Sequence, residues 1–140
     1  MVKILVGQKG SGKTKKMIDL ANEEVESAKG NIIFVNKNAK LTYDLDYKIR
    51  VVCMEEFKHV TNENEYIGFI FGIISADNDI ETIYLDGVMR HADFSIQIIP
   101  CFIDKLKVVS KEYGMDFVVS ISAELEELNG VNFEDIEVLN

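Results

Sequence analysis

The sequence predicts an α/β protein, a three-layer α-β-α sandwich built on a mostly parallel sheet of about five strands. Three observations predict it. Short, nearly all-apolar runs alternate with helical stretches along the chain. Residues 31–35 and 117–121 carry few polar side chains, as strands covered on both faces do. The first apolar run, Val2 to Val6, passes through a glycine-rich loop into a helical pattern, the order of a βαβ unit with parallel strands.

Taken in order, that first run ends at Gly7-Gln8-Lys9-Gly10-Ser11-Gly12-Lys13-Thr14, which matches the phosphate-loop pattern G-x-x-x-x-G-K-[ST]. A strand, such a loop and a helix N-terminus together make an anion site, with loop N–H groups and the positive end of the helix dipole aimed at one point. By position, Lys13 reaches the β- and γ-phosphates of a nucleotide and the Thr14 hydroxyl ligates Mg²⁺. Met17, Ile18, Ala21, Val25 and Ala28 then form one apolar stripe, so a helix is expected over residues 13–28, with Gly30 as its terminating glycine. Residues 31–35 are the second strand. Asn36-Lys37-Asn38-Ala39 lacks the aspartate that reads guanine and is expected to be a polar loop. Asp44 and Asp46 face either the phosphate region, where loops after strands gather, or, the commoner case, lie in a surface turn; residues 49–54 form a third apolar run closed by Glu55 and Glu56.

Asn62 and Glu65 have capping-box spacing and open a helix to about residue 76. It is apolar on most sides, so burial is expected, with Gly68 and Gly72 permitting close approach of a neighbour. Residues 81–86 are strand-forming and end in Asp86. An acid at that place holds magnesium opposite Thr14. The following residue is Gly87, so the position after the acid carries no glutamate to polarise water. Glu55, Glu56 and Glu124 are therefore the candidate bases, and Arg90, one of two arginines, is the candidate for stabilising transferred charge. A further helix runs to about Tyr113, with Phe102, Leu106, Val109 and Tyr113 on one stripe and Pro100 in its first turn or kinking it. The strand over 117–121 leads to Ser120 and Ser122, candidate sensors of the γ-phosphate, and Ser122 is also a candidate cap for a short acidic helix through Asn129. Residues 136–139 are a candidate edge strand.

At 140 residues the chain is expected to be one domain, residues 1–140. Residues 1–50 hold ten basic and six acidic side chains, whereas residues 51–140 hold five basic and eighteen acidic. With a pI near 4.7 the chain lacks the basic character of nucleic-acid binders. The most apolar window, residues 66–76, is shorter than the ~20 residues needed to span a bilayer, so no membrane insertion is expected. Cys53 and Cys101 lie in apolar runs without metal-ligand spacing, which suits reduced core thiols in the cytoplasm. His59 and His91 are far apart and form no metal or triad signature.

The Gly7-to-Thr14 loop, Asp86 at a strand end and the alternation of elements resemble a P-loop NTPase. The later strand at 117–121 makes the order similar to the RecA-like, additional-strand branch, in which that strand separates the Asp86 strand from the loop strand. Further stretches, Leu41-Thr42-Tyr43-Asp44, Tyr66-Ile67-Gly68-Phe69, Phe102-Ile103-Asp104-Lys105-Leu106 and Ser120-Ile121-Ser122-Ala123, resemble a group of short bacterial ATP-binding proteins often labelled "twitching motility protein PilT". Pilus-retraction ATPases themselves resemble this chain only at the loop, so twitching is not carried over. The expectation is binding of ATP or another nucleoside triphosphate with Mg²⁺, and weak or partner-dependent hydrolysis. Two alternatives stand beside it: a nucleotide-gated interaction module, with a protein partner or a second copy of the chain, and a small nucleoside or nucleotide phosphotransferase.

Overall fold

Side-chain alternation decides the layers. Along each central strand, successive residues point to opposite faces of one sheet, and here both faces are apolar. In β1 (Val2–Val6), Val2, Ile4 and Val6 enter one cluster and Leu5 the other. β2 (Asn31–Asn36) divides in the same way, with Ile33 and Val35 on the first side and Ile32 and Phe34 on the second. The computed structural model describes residues 1–91 and 94–140, apart from the side chains of Ala39, Leu41 and Thr42. The expected match at Leu41-Thr42 therefore has its side chains outside the described residues.

The remaining elements are α1 (Lys13–Val25), β3 (Arg50–Cys53), α2 (Glu63–Ala76), β4 (Ile80–Leu85), α3 (Ile99–Tyr113), β5 (Asp116–Ile121) and β6 (Ile136–Val138). The six strands lie in the order β3-β2-β4-β5-β1-β6, and every neighbouring pair is parallel. α1 covers one face through Met17, Ile18 and Ala21. α2 and α3 cover the other through Tyr66, Ile70, Phe102 and Leu106. The expected three layers are present, but the sheet has six strands rather than five and is wholly parallel. The sixth is the short edge segment, which pairs with β1 from Val2↔Ile136 to Ile4↔Val138. β5 lies between β1 and β4, the strand order expected from the sequence.

A polar clasp holds α1 to its face. Thr82 Oγ1 and Tyr84 Oη, both from β4, donate to the two oxygens of Glu24 at 2.5 and 2.7 Å. Burial, and then the bond to this carboxylate, push the Tyr84 phenol well above its ordinary range.

Several local expectations are corrected. α1 ends at Val25, and Gly30 does not terminate it: a Cβ there would lie 2.5 Å from the Asp79 carbonyl, so the glycine serves a close backbone approach. Asn62 caps α2 by accepting from the Glu65 N–H, but the Glu65 carboxylate returns to Thr61 rather than to Asn62. The burial expected of α2 holds for Tyr66, Ile67, Ile70 and Ile74, while Phe71 is 41% exposed. Among the described residues a Cβ at Gly68 or Gly72 would meet nothing within 4 Å, so neither glycine serves close packing there. Pro100 sits in the first turn of α3 as expected, but Tyr113 leaves the buried stripe and is half-exposed, and of the cysteines expected in the core Cys53 is half-buried and Cys101 exposed. The acidic segment after β5 is only a 3-10 turn, Leu125–Glu127, preceded by Glu124 rather than capped by Ser122. No helix among the described residues is long and apolar enough to cross a membrane.

Phe102 has none of its surface exposed and packs edge-on against Tyr66 and Phe94. Phe102→Ala is expected to lower the unfolding free energy by about 3–5 kcal/mol in denaturant titrations. Phe71→Ala, on the exposed side of α2, should cost less than about 1 kcal/mol in the same assay.

Candidate functional site

The parallel sheet brings the C-terminal ends of β1, β4 and β5 to one edge, where loops of such sheets form binding crevices. The loop after β1 turns through Gly10 and Gly12, with φ of 84° and 88°, a backbone conformation that side-chain-bearing residues rarely adopt. Gly12 is the N-cap of α1 and offers no side-chain cap. The first N–H groups of α1 have no intrahelical acceptors, and the positive end of the helix is at the loop. Gly7 N–H donates to the Ala123 carbonyl at 2.9 Å, which anchors the loop's start to the segment after β5.

Lys13 and Thr14 project from the first turn of α1. The Lys13 ammonium donates to the carbonyls of Gly7 and Gln8 at 2.8 and 2.9 Å, so it lies back along its own loop. Burial and then the Arg90 charge hold its pKa below the usual lysine value, against the opposing pull of Asp86 and Glu124. Thr14 Oγ1 donates to Asp86 Oδ2 at 2.9 Å.

Asp86 follows the last residue of β4 and is only 5% exposed. Its backbone N–H donates to the Val35 carbonyl on β2. Its second carboxylate oxygen, Oδ1, accepts from Ser120 Oγ at 2.7 Å, and that same hydroxyl accepts the Gly87 N–H at 3.0 Å. A buried carboxylate is expensive unless hydrogen-bonded, and here both oxygens are. Ser120 therefore positions Asp86 and the turn after it, a role that its sequence place at a strand end does not distinguish from the expected phosphate sensing.

A cavity of about 270 Å³ opens between these parts, lined by Gly10, Gly12, Lys13, Thr14, Asp86, Gly87, Arg90, Ser120 and Ser122. The sequence-selected residues divide around it. Lys13, Thr14, Asp86 and Arg90 share its wall. Gln8, Lys9 and Ser11 are exposed on the loop outside that wall. Glu55 and Glu56 are exposed at the end of β3, and Glu55 lines a different hollow. Glu124 acts on Lys13 by its charge but is exposed and does not line the cavity. Asp44 lines a third hollow with Thr14, Lys15, Ile18, Asp19 and Asn22, where its carbonyl accepts from the Asn22 amide. Sequence alone does not separate the two histidines. In the structure His59 is exposed and His91 half-buried, its Nε2 buried and without a hydrogen bond among the described residues.

The chemistry available is that of an anion cradle beside a carboxylate. The protein's own oxygens here, Thr14 Oγ1 and Asp86 Oδ2, suit a hard cation such as Mg²⁺, which takes one or two protein ligands and fills its remaining positions with water and phosphate oxygens. No protein-family model matches the chain, and no curated protein sequence matches it.

Removing the Ser120 hydroxyl leaves a buried carboxylate oxygen and the Gly87 N–H short of a partner. Ser120→Ala is expected to cost about 1–3 kcal/mol of stability by denaturant unfolding. Ser122→Ala, at a half-buried residue of the same cavity, should stay within about 0.5 kcal/mol.

Proposed function

We propose that the protein is a P-loop NTPase-like protein of the RecA-like branch that binds a nucleoside triphosphate, ATP, together with Mg²⁺. The observation that carries this reading is the Thr14–Asp86 hydrogen bond, which joins the end of the glycine loop to the end of a strand two positions away in the sheet. A loop motif arising by chance has no reason to meet a buried carboxylate in this way.

In this reading the loop N–H groups and Lys13 hold the phosphates, and Thr14 and Asp86 hold the cation. Mg²⁺ would supply neutralisation of the charge on the β- and γ-phosphates. Lys13 exchanges its two loop carbonyls for phosphate oxygens, a shift of acceptor from neutral to charged that strengthens its bonds. Arg90, on the cavity wall, faces the same charge. Neither Glu55 nor Glu56 lines this cavity, and Gly87 carries no side chain, so hydrolysis is weak or depends on a partner.

A second reading, a nucleotide-gated interaction module, is favoured by α2, where Phe71 is exposed beside Gly72 and nothing among the described residues packs on Gly68 or Gly72. Sedimentation with and without nucleotide would separate it, since a monomer unchanged by either condition counts against homo-assembly.

Equilibrium dialysis with Mg·ATP tests the main proposal. Wild-type protein is expected to bind. Lys13→Ala should weaken binding by about tenfold or more, the loss of one charge-assisted contact. Asp86→Asn should reduce the part of the affinity that depends on Mg²⁺. Absence of binding by the wild type, or equal binding by Lys13→Ala, would overturn the proposal.

A further inference from the structure

An open sheet has two edges, and the charges on them differ here. β6, at one edge, is a short strand with Glu134 and Asp135 before it and Glu137 within it. Two such edges brought together would repel, which is one way natural sheets keep an edge unpaired. β3, at the other edge, reads Arg50-Val51-Val52-Cys53 and carries no acidic side chain. It pairs with β2 on one side, and among the described residues no strand lies on the other. Backbone groups point alternately to the two sides of a strand, so about half of those in β3 face away from the sheet.

The charges around β3 run end to end. Lys48 and Arg50 stand at its start and Glu55 and Glu56 just beyond its end, all of them exposed. The stretch from Lys48 to Glu56 therefore balances its signs, in a chain whose net charge is −9. Cations at one end, acids at the other and apolar residues between make a strand complementary to its own reverse.

The apolar flank beside this edge is open as well. Phe57, just after β3, is 41% exposed and rests on Phe69 of α2, with ring centres 5.0 Å apart. Val52, Val60, Phe69 and Ile73 pack against the core yet stay half-buried. One turn on from Phe69, Gly72 is exposed, and a Cβ there would meet nothing within 4 Å among the described residues. An unprotected edge and an unfilled helix flank thus share one side of the molecule.

We propose that two copies of this chain pair along β3, antiparallel about a two-fold axis, so that one sheet runs through both. Val51 then faces the partner's Val52, Arg50 faces the partner's Cys53, and the turn carrying Lys48 comes level with the partner's Glu55. The α2 flanks that carry Phe69 and Gly72 meet beside the paired strands and cover the half-buried apolar side chains. Both copies use the same surface, so the assembly closes at the dimer. No residue of the Asp86 cavity takes part, and the pairing stands whether or not nucleotide binds.

The test is sedimentation equilibrium of the full chain over about a hundredfold range of concentration, with denaturant unfolding of each variant to check its fold. A monomer–dimer equilibrium is expected. Lys48→Glu or Glu55→Lys alone should weaken it by about tenfold or more, because the two-fold axis counts each change twice. The two changes together should restore it. Val51→Lys, which puts a charge on the paired strand itself, should leave a folded monomer. Phe71→Ala, on the side of α2 turned towards Tyr113, should leave the dimer intact, as should Lys13→Ala. A monomer at every concentration, a dimer indifferent to the charge reversals and to Val51→Lys, or a dimer lost in Phe71→Ala would overturn the proposal.

Discussion

One buried carboxylate ties the edge of this sheet together. Asp86 is held from both sides, by the Thr14 hydroxyl at the start of α1 and by the Ser120 hydroxyl from β5, and its own N–H is fixed to β2. The glycine loop, the first turn of α1 and the turn carrying Arg90 and His91 all take their positions relative to that group. An unpaired carboxylate at this depth would be costly, so the hydroxyls must be in place whenever the sheet is closed. The same constraint sets the Thr14 hydroxyl and the Asp86 carboxylate side by side on the wall of the cavity beside the glycine loop.

Much of the fold is legible because strands covered on both faces leave a strong signal. The runs over 31–35 and 117–121 are nearly free of polar residues, and both are central strands. α1 and α3 show their stripes for the same reason, each burying one face. α2 is harder. Its apolar residues surround the helix, so periodicity cannot say that Tyr66 and Ile70 face the core while Phe71 does not. Its two glycines look like a packing face, yet no neighbour among the described residues comes near. Gly30 shows the converse: a glycine that sequence reading assigns to a helix end is needed because another segment's carbonyl passes close by.

The site divides along similar lines. Gly10, Gly12, Lys13 and Thr14 are contiguous and carry their own pattern, and Asp86 stands at the end of a recognisable strand. Ser120 acts through residues far away in sequence, and its type is too common to mark it. Glu55 and Glu56 were reasonable candidates only as acids at a strand end. The strand in question is β3, at the sheet's far edge and two strands from β4, so both lie away from the Asp86 cavity and Glu55 lines a different hollow.

The strand order has a consequence for how the chain acquires its shape during synthesis. β1 is made first, but both of its sheet neighbours, β5 and β6, come from residues 116–138. The segment comprising β2, β3 and β4 can pair within itself, because β2 lies between the other two. The glycine loop therefore hangs from an unpaired strand until residues 116–138 have left the ribosome. Such long-range parallel closure is slow. During that interval the unpaired edges and apolar faces of β1 and β4 are the surfaces a chaperone would have to cover. The Gly7-to-Thr14 loop becomes rigid only once residues 116–138 join its strand, although it is translated well before them.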